Sequence, residues 1–182
     1  MNIELLLVYC YRAFIFACVT GLAYTLVYLM VHLINKKTIQ TKKFFLKLIF
    51  FCYVACLFQI TVIRDWQLFF DYAGWQHSYD TVQLDMFYTL SNAYQYKWTT
   101  FIYHCFGNIL WFVPMGFLLP LICKWFNNVI KVVLFGACFS LMIEGLQWLF
   151  NSGISDIDDF ITNTLGTLLG YLIYRIVKKW KK

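Results

Sequence analysis

Charge is scarce in this chain: of 182 residues only 13% are charged, while 62% are hydrophobic. A soluble domain is about 45–50% apolar and about 25% charged, so that class is excluded. Proline is scarcer still. There are two, Pro114 and Pro120, and both fall in one apolar run. The N-terminal MNIELLL lacks a basic n-region, and the apolar run it enters is too long for an h-region, so a signal peptide is not expected. The seven cysteines, Cys10, Cys18, Cys52, Cys56, Cys105, Cys123 and Cys138, have neither CxxC spacing nor histidine companions. That argues against a zinc site and leaves them as small apolar core residues. A nucleophile motif is missing, and so is the inverted repeat that builds many transporters.

Long apolar runs are what the chain does have. A membrane-crossing helix needs about 20 apolar residues, and five runs qualify: about 5–33, 44–63, 99–123, 132–150 and 157–177. The expected fold is all-α, a single polytopic membrane domain with the lipid bilayer as its first partner. The net charge of +6 does not imply a nucleic-acid partner, because the basic residues flank the spans. Lys36, Lys37, Lys42, Lys43 and Lys47, then Lys124 and Lys131, then Arg175, Lys178, Lys179, Lys181 and Lys182 share one side of a five-span chain. The positive-inside rule makes that side cytoplasmic, with the N-terminus outside and the C-terminus inside. The one long connection, 64–98, is then external. Its many tyrosines and tryptophans favour the headgroup layer, and it is expected to form short interfacial helices partly covering whatever lies beneath.

Against this apolar background the polar residues are conspicuous. An ionised side chain at the centre of a membrane helix costs roughly 2.5–3.5 kcal/mol on insertion scales. In the third span His104, Asn108, Trp111 and Met115 recur at i, i+4, i+7 and i+11, one helix face. In the fourth, Ser140, Glu144 and Gln147 form a stripe, with Gly136 as a small contact and Gly145 removing bulk beside Glu144. In the fifth, Asp159, Asn163, Gly166 and Gly170 form another, and the two glycines make a GxxxG packing face. Ser155 or Asp156 precedes it as a candidate N-cap, and Asp158 reads as a first-turn acid compensating the macrodipole. Arg12 in the first span either snorkels to the headgroups or serves as counter-ion to an acid on another helix. Arg64, beside Asp65, reads on chemistry alone as an interfacial anchor. The spacing predicts that Arg12, His104, Asn108, Glu144, Gln147, Asp159 and Asn163 meet at one depth in the outer half of the bundle.

The stretches GNILWFVPMGFLLP, SLMIEGLQ and DIDDFITNTLGTLLGY resemble the VanZ-like family of bacterial membrane proteins. The matching residues are Asn108, Pro114, Gly116, Ser140, Glu144, Gln147, Asp156, Asp159, Asn163, Gly166 and Gly170, over about residues 100–172. ITVIR resembles the family's Thr-x-x-x-Arg, which gives Arg64 a place in the pattern. QLDMF stands where many members read Asn-Leu-Ile-Pro-Phe, without the proline, and Gly153 stands where many have a basic residue. The resemblance implies a role at the bacterial cell envelope, since the family is named after a protein associated with low-level teicoplanin resistance. It implies no agreed chemistry.

Three readings follow. In the first, the polar site binds an outer-leaflet lipid, or a lipid-linked or glycopeptide ligand, without catalysis. In the second, it is an intramembrane enzyme acting on a lipid head group, with Glu144 as general base, His104 or Arg64 meeting a phosphate, and Asp156 and Asp159 holding a divalent cation through oxygen ligands. In the third, the acids only pair with Arg12 or Arg64 and fix helix register. The sequence specifies no cofactor and no oligomeric state.

Overall fold

The computed structural model describes residues 3–36, 38, 40–63, 82–96 and 98–180. Its long helices are α1 (Ile3–Ile34), α2 (Thr41–Thr61), α4 (Trp98–Ile122), α5 (Val129–Leu149) and α6 (Ile157–Trp180), with a shorter α3 (Tyr88–Tyr96). Five helices are long and apolar enough to cross a membrane, and they coincide with the expected spans to within about three residues. The chain is a polytopic helical membrane protein. It divides into two compact units, Met1–Arg64 and Asp65–Lys182.

The first unit is an antiparallel hairpin of α1 and α2. Cys52 Sγ lies 3.6 Å from the carbonyl oxygen of Ala17, and Cys56 Sγ lies 3.6 Å from that of Ala13. A Cβ on Gly21 would meet Cys52 Sγ at 2.7 Å. The seam continues in rings, Tyr24 on Phe51 with centroids 5.1 Å apart and Tyr28 on Phe44 at 4.8 Å. The cysteines correct one expectation. None is buried; Cys52, Cys56 and Cys105 are half-buried, and Cys10, Cys18, Cys123 and Cys138 are exposed. A helix bathed in lipid gains nothing from hiding a small apolar thiol, so the exposed cysteines sit on outward faces.

In the second unit α6 packs against both α4 and α5. Side chains on Gly166 and Gly170 would overlap the carbonyl oxygens of Ile109 and Val113, and one on Gly116 would overlap that of Thr167. Partner numbers rise together, so α4 and α6 run parallel with their backbones in contact. That is the close approach that small residues permit between membrane helices. Gly136 gives α5 the same closeness to the Thr167 side chain. Gly145 does not serve in this way: it is exposed, and a Cβ there would meet nothing within 4 Å. The buried face of α4 also differs from the expected one. Phe112, Met115 and Leu119 are buried, whereas Trp111 is 43% exposed. Phe112 at i+4 from Asn108, not Trp111 at i+3, continues the face, because the backbone contacts at Ile109, Val113 and Gly116 fix the helix's rotation.

The α5–α6 turn has a defined stop and start. Asn151 takes a left-handed φ of 48°. Its N–H donates to the Trp148 carbonyl at 3.3 Å, and that of Ser152 to the Gln147 carbonyl at 3.0 Å. This is the hydrogen-bond pair of a Schellman ending. Asp156 then N-caps α6, its Oδ1 accepting from the Asp158 N–H at 2.9 Å. Between them Ser155–Asp156 forms a two-residue strand, β2, pairing in parallel with β1, Val82–Gln83. Residues 64–81 of the long connection between α2 and α4 lie outside the described residues. The remainder includes one short helix, α3, as expected, and a strand bridge that was not expected.

Candidate functional site

The polar stripes of α5 and α6 meet where the turn joins them. Ser140, Glu144 and Gln147 are buried, as are Asp156, Asp158 and Asn163. Asn108 and Asp159 are half-buried. Ser140, Glu144 and Gln147 thus lie on one buried face of α5, and Asn163, Gly166 and Gly170 on one of α6, with Asp159 half-buried at its start.

Direct bonds link α4, α5 and α6. Asn108 Nδ2 on α4 donates to Asp159 Oδ1 on α6. Asn163 Nδ2 on α6 donates to Ser140 Oγ on α5 at 3.0 Å. Glu144 Oε2 on α5 accepts the backbone N–H of Asp156 at 2.9 Å. The last bond begins a series. Asp156 accepts the Asp158 N–H, and Asp158 Oδ1 accepts the Phe87 N–H at 2.6 Å. Carboxylate and amide thus alternate from Glu144 through the start of α6 to the segment before α3. Hydrogen bonds to charged groups contribute about 1.5–3 kcal/mol each, and the helix N-terminus adds a favourable field for negative charge. These terms let four acids share a small volume beside lipid.

Asp158 is the residue that sequence reasoning undervalued. It is 1% exposed and anchors the segment before α3 by accepting from the Phe87 N–H. Phe87 has a φ of 63°, where a bulky residue is rarely found and strain runs to about 1–3 kcal/mol. The Asp158 bond holds it there. The signal lay in the QLDMF stretch, whose terminal Phe is shared with the family pattern. Thr167, fully buried and donating to the Asn163 carbonyl at 3.1 Å, is a second residue the sequence did not single out.

The other site residues are placed as follows. Gln147 is buried one turn from Glu144 and accepts the Ser152 N–H on its carbonyl. His104 lies on α4, with its side chain outside what is described. Arg12 is half-buried on α1, in the first unit. Arg64 lies outside the described residues. Among the described residues no three His, Cys, Asp or Glu side chains group as a metal site. A divalent cation at Asp156 and Asp159 would complete its shell with amide oxygens or water.

The arrangement is rich in acceptors and negative charge, with the Asn108 amide already committed to Asp159 and the Asn163 amide to Ser140. Chemically it suits a ligand that brings hydrogen-bond donors or positive charge.

Comparison with known proteins agrees with this pattern. The family described as VanZ/LLP1 matches residues 50–178, which takes in most of α2 and all of the second unit up to the last turn of α6. Protein VanZ of Enterococcus faecium is 38% identical over 72 residues, 40% of this chain and 44% of that protein. The chain thus covers less than half the length of that relative. No solved structure matches it significantly.

Proposed function

Because the chain belongs to the VanZ/LLP1 family, we propose that it works in the bacterial cell membrane as a binding protein for an outer-leaflet amphiphile. The N-terminus lies outside and the C-terminus inside. The ligand is a lipid or a cell-wall-related molecule whose head group offers amines or hydroxyls, and its capture contributes to tolerance of teicoplanin-type glycopeptides. The observation that carries this reading is the gathering of Asn108, Glu144, Asp156, Asp158, Asp159 and Asn163 from three helices at one end of the second unit. The external segment is docked on it through Phe87. The exposed Tyr88, Tyr94 and Trp98 beside it suit the headgroup layer.

Glu144→Gln and Asp159→Asn test the reading, because each keeps a carbonyl oxygen for its donor and removes only charge. Both variants are expected to insert at normal levels and to lower teicoplanin tolerance to that of cells without the protein. Lipid profiles by mass spectrometry are expected to stay unchanged, since nothing is converted. Full tolerance in both variants would overturn the reading.

A further inference from the structure

The end of α6 remote from the acids carries a cleft of about 520 Å³ lined by Asn127, Arg175, Ile176, Lys178 and Lys179. That is within the range of roughly 300–1,000 Å³ of small-molecule sites. Its frame is built, not incidental. Asn127 follows the short 3-10 turn Lys124–Phe126. Its carbonyl accepts the Tyr171 hydroxyl at 2.8 Å. Its Oδ1 accepts both the Tyr174 hydroxyl at 2.8 Å and Lys178 Nζ at 3.3 Å. An ammonium can only donate, so the side-chain oxygen faces α6. The Nδ2 amine makes no hydrogen bond among the described residues. The same two tyrosines, 2% and 6% exposed, position the cations. Arg175 Nη1 donates to Tyr171 Oη at 3.3 Å, and Lys178 Nζ stands 5.3 Å from the Tyr174 ring centroid.

Among the described residues no acidic side chain is paired with these cations. Asp159 is the last acidic residue in the sequence, and at 1.5 Å per residue it lies about 24 Å up the helix from Arg175. The macrodipole favours lysines in a helix's last turn, which explains Lys178 and Lys179 but not the tyrosine-held guanidinium or the amide donor beside it.

We propose that this cleft binds the phosphate of an anionic phospholipid head group in the leaflet where α6 ends. Arg175 supplies a planar donor fork, Lys178 and Lys179 supply charge, and Asn127 supplies the amide. The surroundings favour a lipid over free phosphate. Ile176 lines the cleft, and the exposed Leu169, Ile173 and Ile176 form one strip of α6 leading away from it for an acyl chain. Trp180 and Trp125, 86% and 58% exposed, flank the same end, as head-group anchors do.

The test uses the full chain purified in detergent and read by native mass spectrometry after titration with phosphatidylglycerol, phosphatidylcholine or inorganic phosphate. Phosphatidylglycerol is expected to stay bound, and the other two are not. Arg175→Gln and Lys178→Gln are each expected to weaken retention about fivefold, near the value of one basic residue at an anionic surface. Asn127→Asp keeps the oxygen that the tyrosine and lysine contact, so the fold persists, and its added negative charge is expected to abolish retention. Equal retention of phosphatidylcholine, unchanged retention in Asn127→Asp, or saturation by inorganic phosphate alone would each overturn the proposal.

Discussion

In the first unit Ala13, Ala17 and Gly21 of α1 face the thiols of Cys52 and Cys56 on α2. In the second, α4 meets α6 backbone to backbone at Gly116, Gly166 and Gly170. Both seams use small residues, as expected where lipid offers no hydrophobic drive to bring helices together. They differ in what can yield. A thiol or a ring can turn aside, whereas a carbonyl oxygen in a helix cannot move without the whole helix. The second seam therefore holds its register closely; it carries the Asn108–Asp159 bond, and α6 also takes the bonds of Ser140 and Glu144 from α5.

That contrast can be broken by adding single methyl groups. Gly166→Ala or Gly170→Ala drives a Cβ into a carbonyl oxygen of α4. Thermal unfolding in detergent is expected to show a loss of about 3 kcal/mol or more, the upper end of overpacking costs. Gly21→Ala meets only the end of the Cys52 side chain and is expected to cost about 1 kcal/mol or less. Equal losses at Gly21 and Gly170 would refute the distinction between the seams.

Asp158→Ala comes next in size. It removes the acceptor for Phe87 and is expected to cost about 1–3 kcal/mol, the penalty for orphaning a buried partner. Amide exchange should quicken over residues 82–96 before it does in α6. Asp158→Asn, which retains an acceptor oxygen, is expected to lose less than half as much. The smallest effect is the opposite in sign. Gly145→Ala fills open space on an exposed helix face and is expected to stabilise α5 by about 0.5–1 kcal/mol.

The spans and the stripes on α5 and α6 were legible in the sequence because their physics is local. A crossing helix must be apolar for about 20 residues, and Ser140, Glu144 and Gln147 or Asp159, Asn163 and Gly166 share a face by helical geometry alone. The rotation of α4 was less legible. It is apolar nearly all round, so Trp111 and Phe112 look equally suited to burial until the glycines of α6 choose between them. The pairing of Val82–Gln83 with Ser155–Asp156 was not legible, since two-residue strands leave no period to read and their partners are over 70 residues apart. Asp158 was read as a helix-end charge because that role needs no distant partner, and its distant partner is a backbone amide, which any residue carries.

The direction of the inter-helix bonds also bears on how the chain is made. Asn108, Ser140 and Glu144 find their partners at Asp159, Asn163 and the Asp156 amide, all later in the chain. During synthesis α4 and α5 therefore enter the bilayer before these three bonds can form, and the arrival of α6 closes all three together. A ribosome stalled before residue 155 would leave the Glu144 carboxylate without its Asp156 amide, the kind of lesion that membrane quality control is equipped to notice.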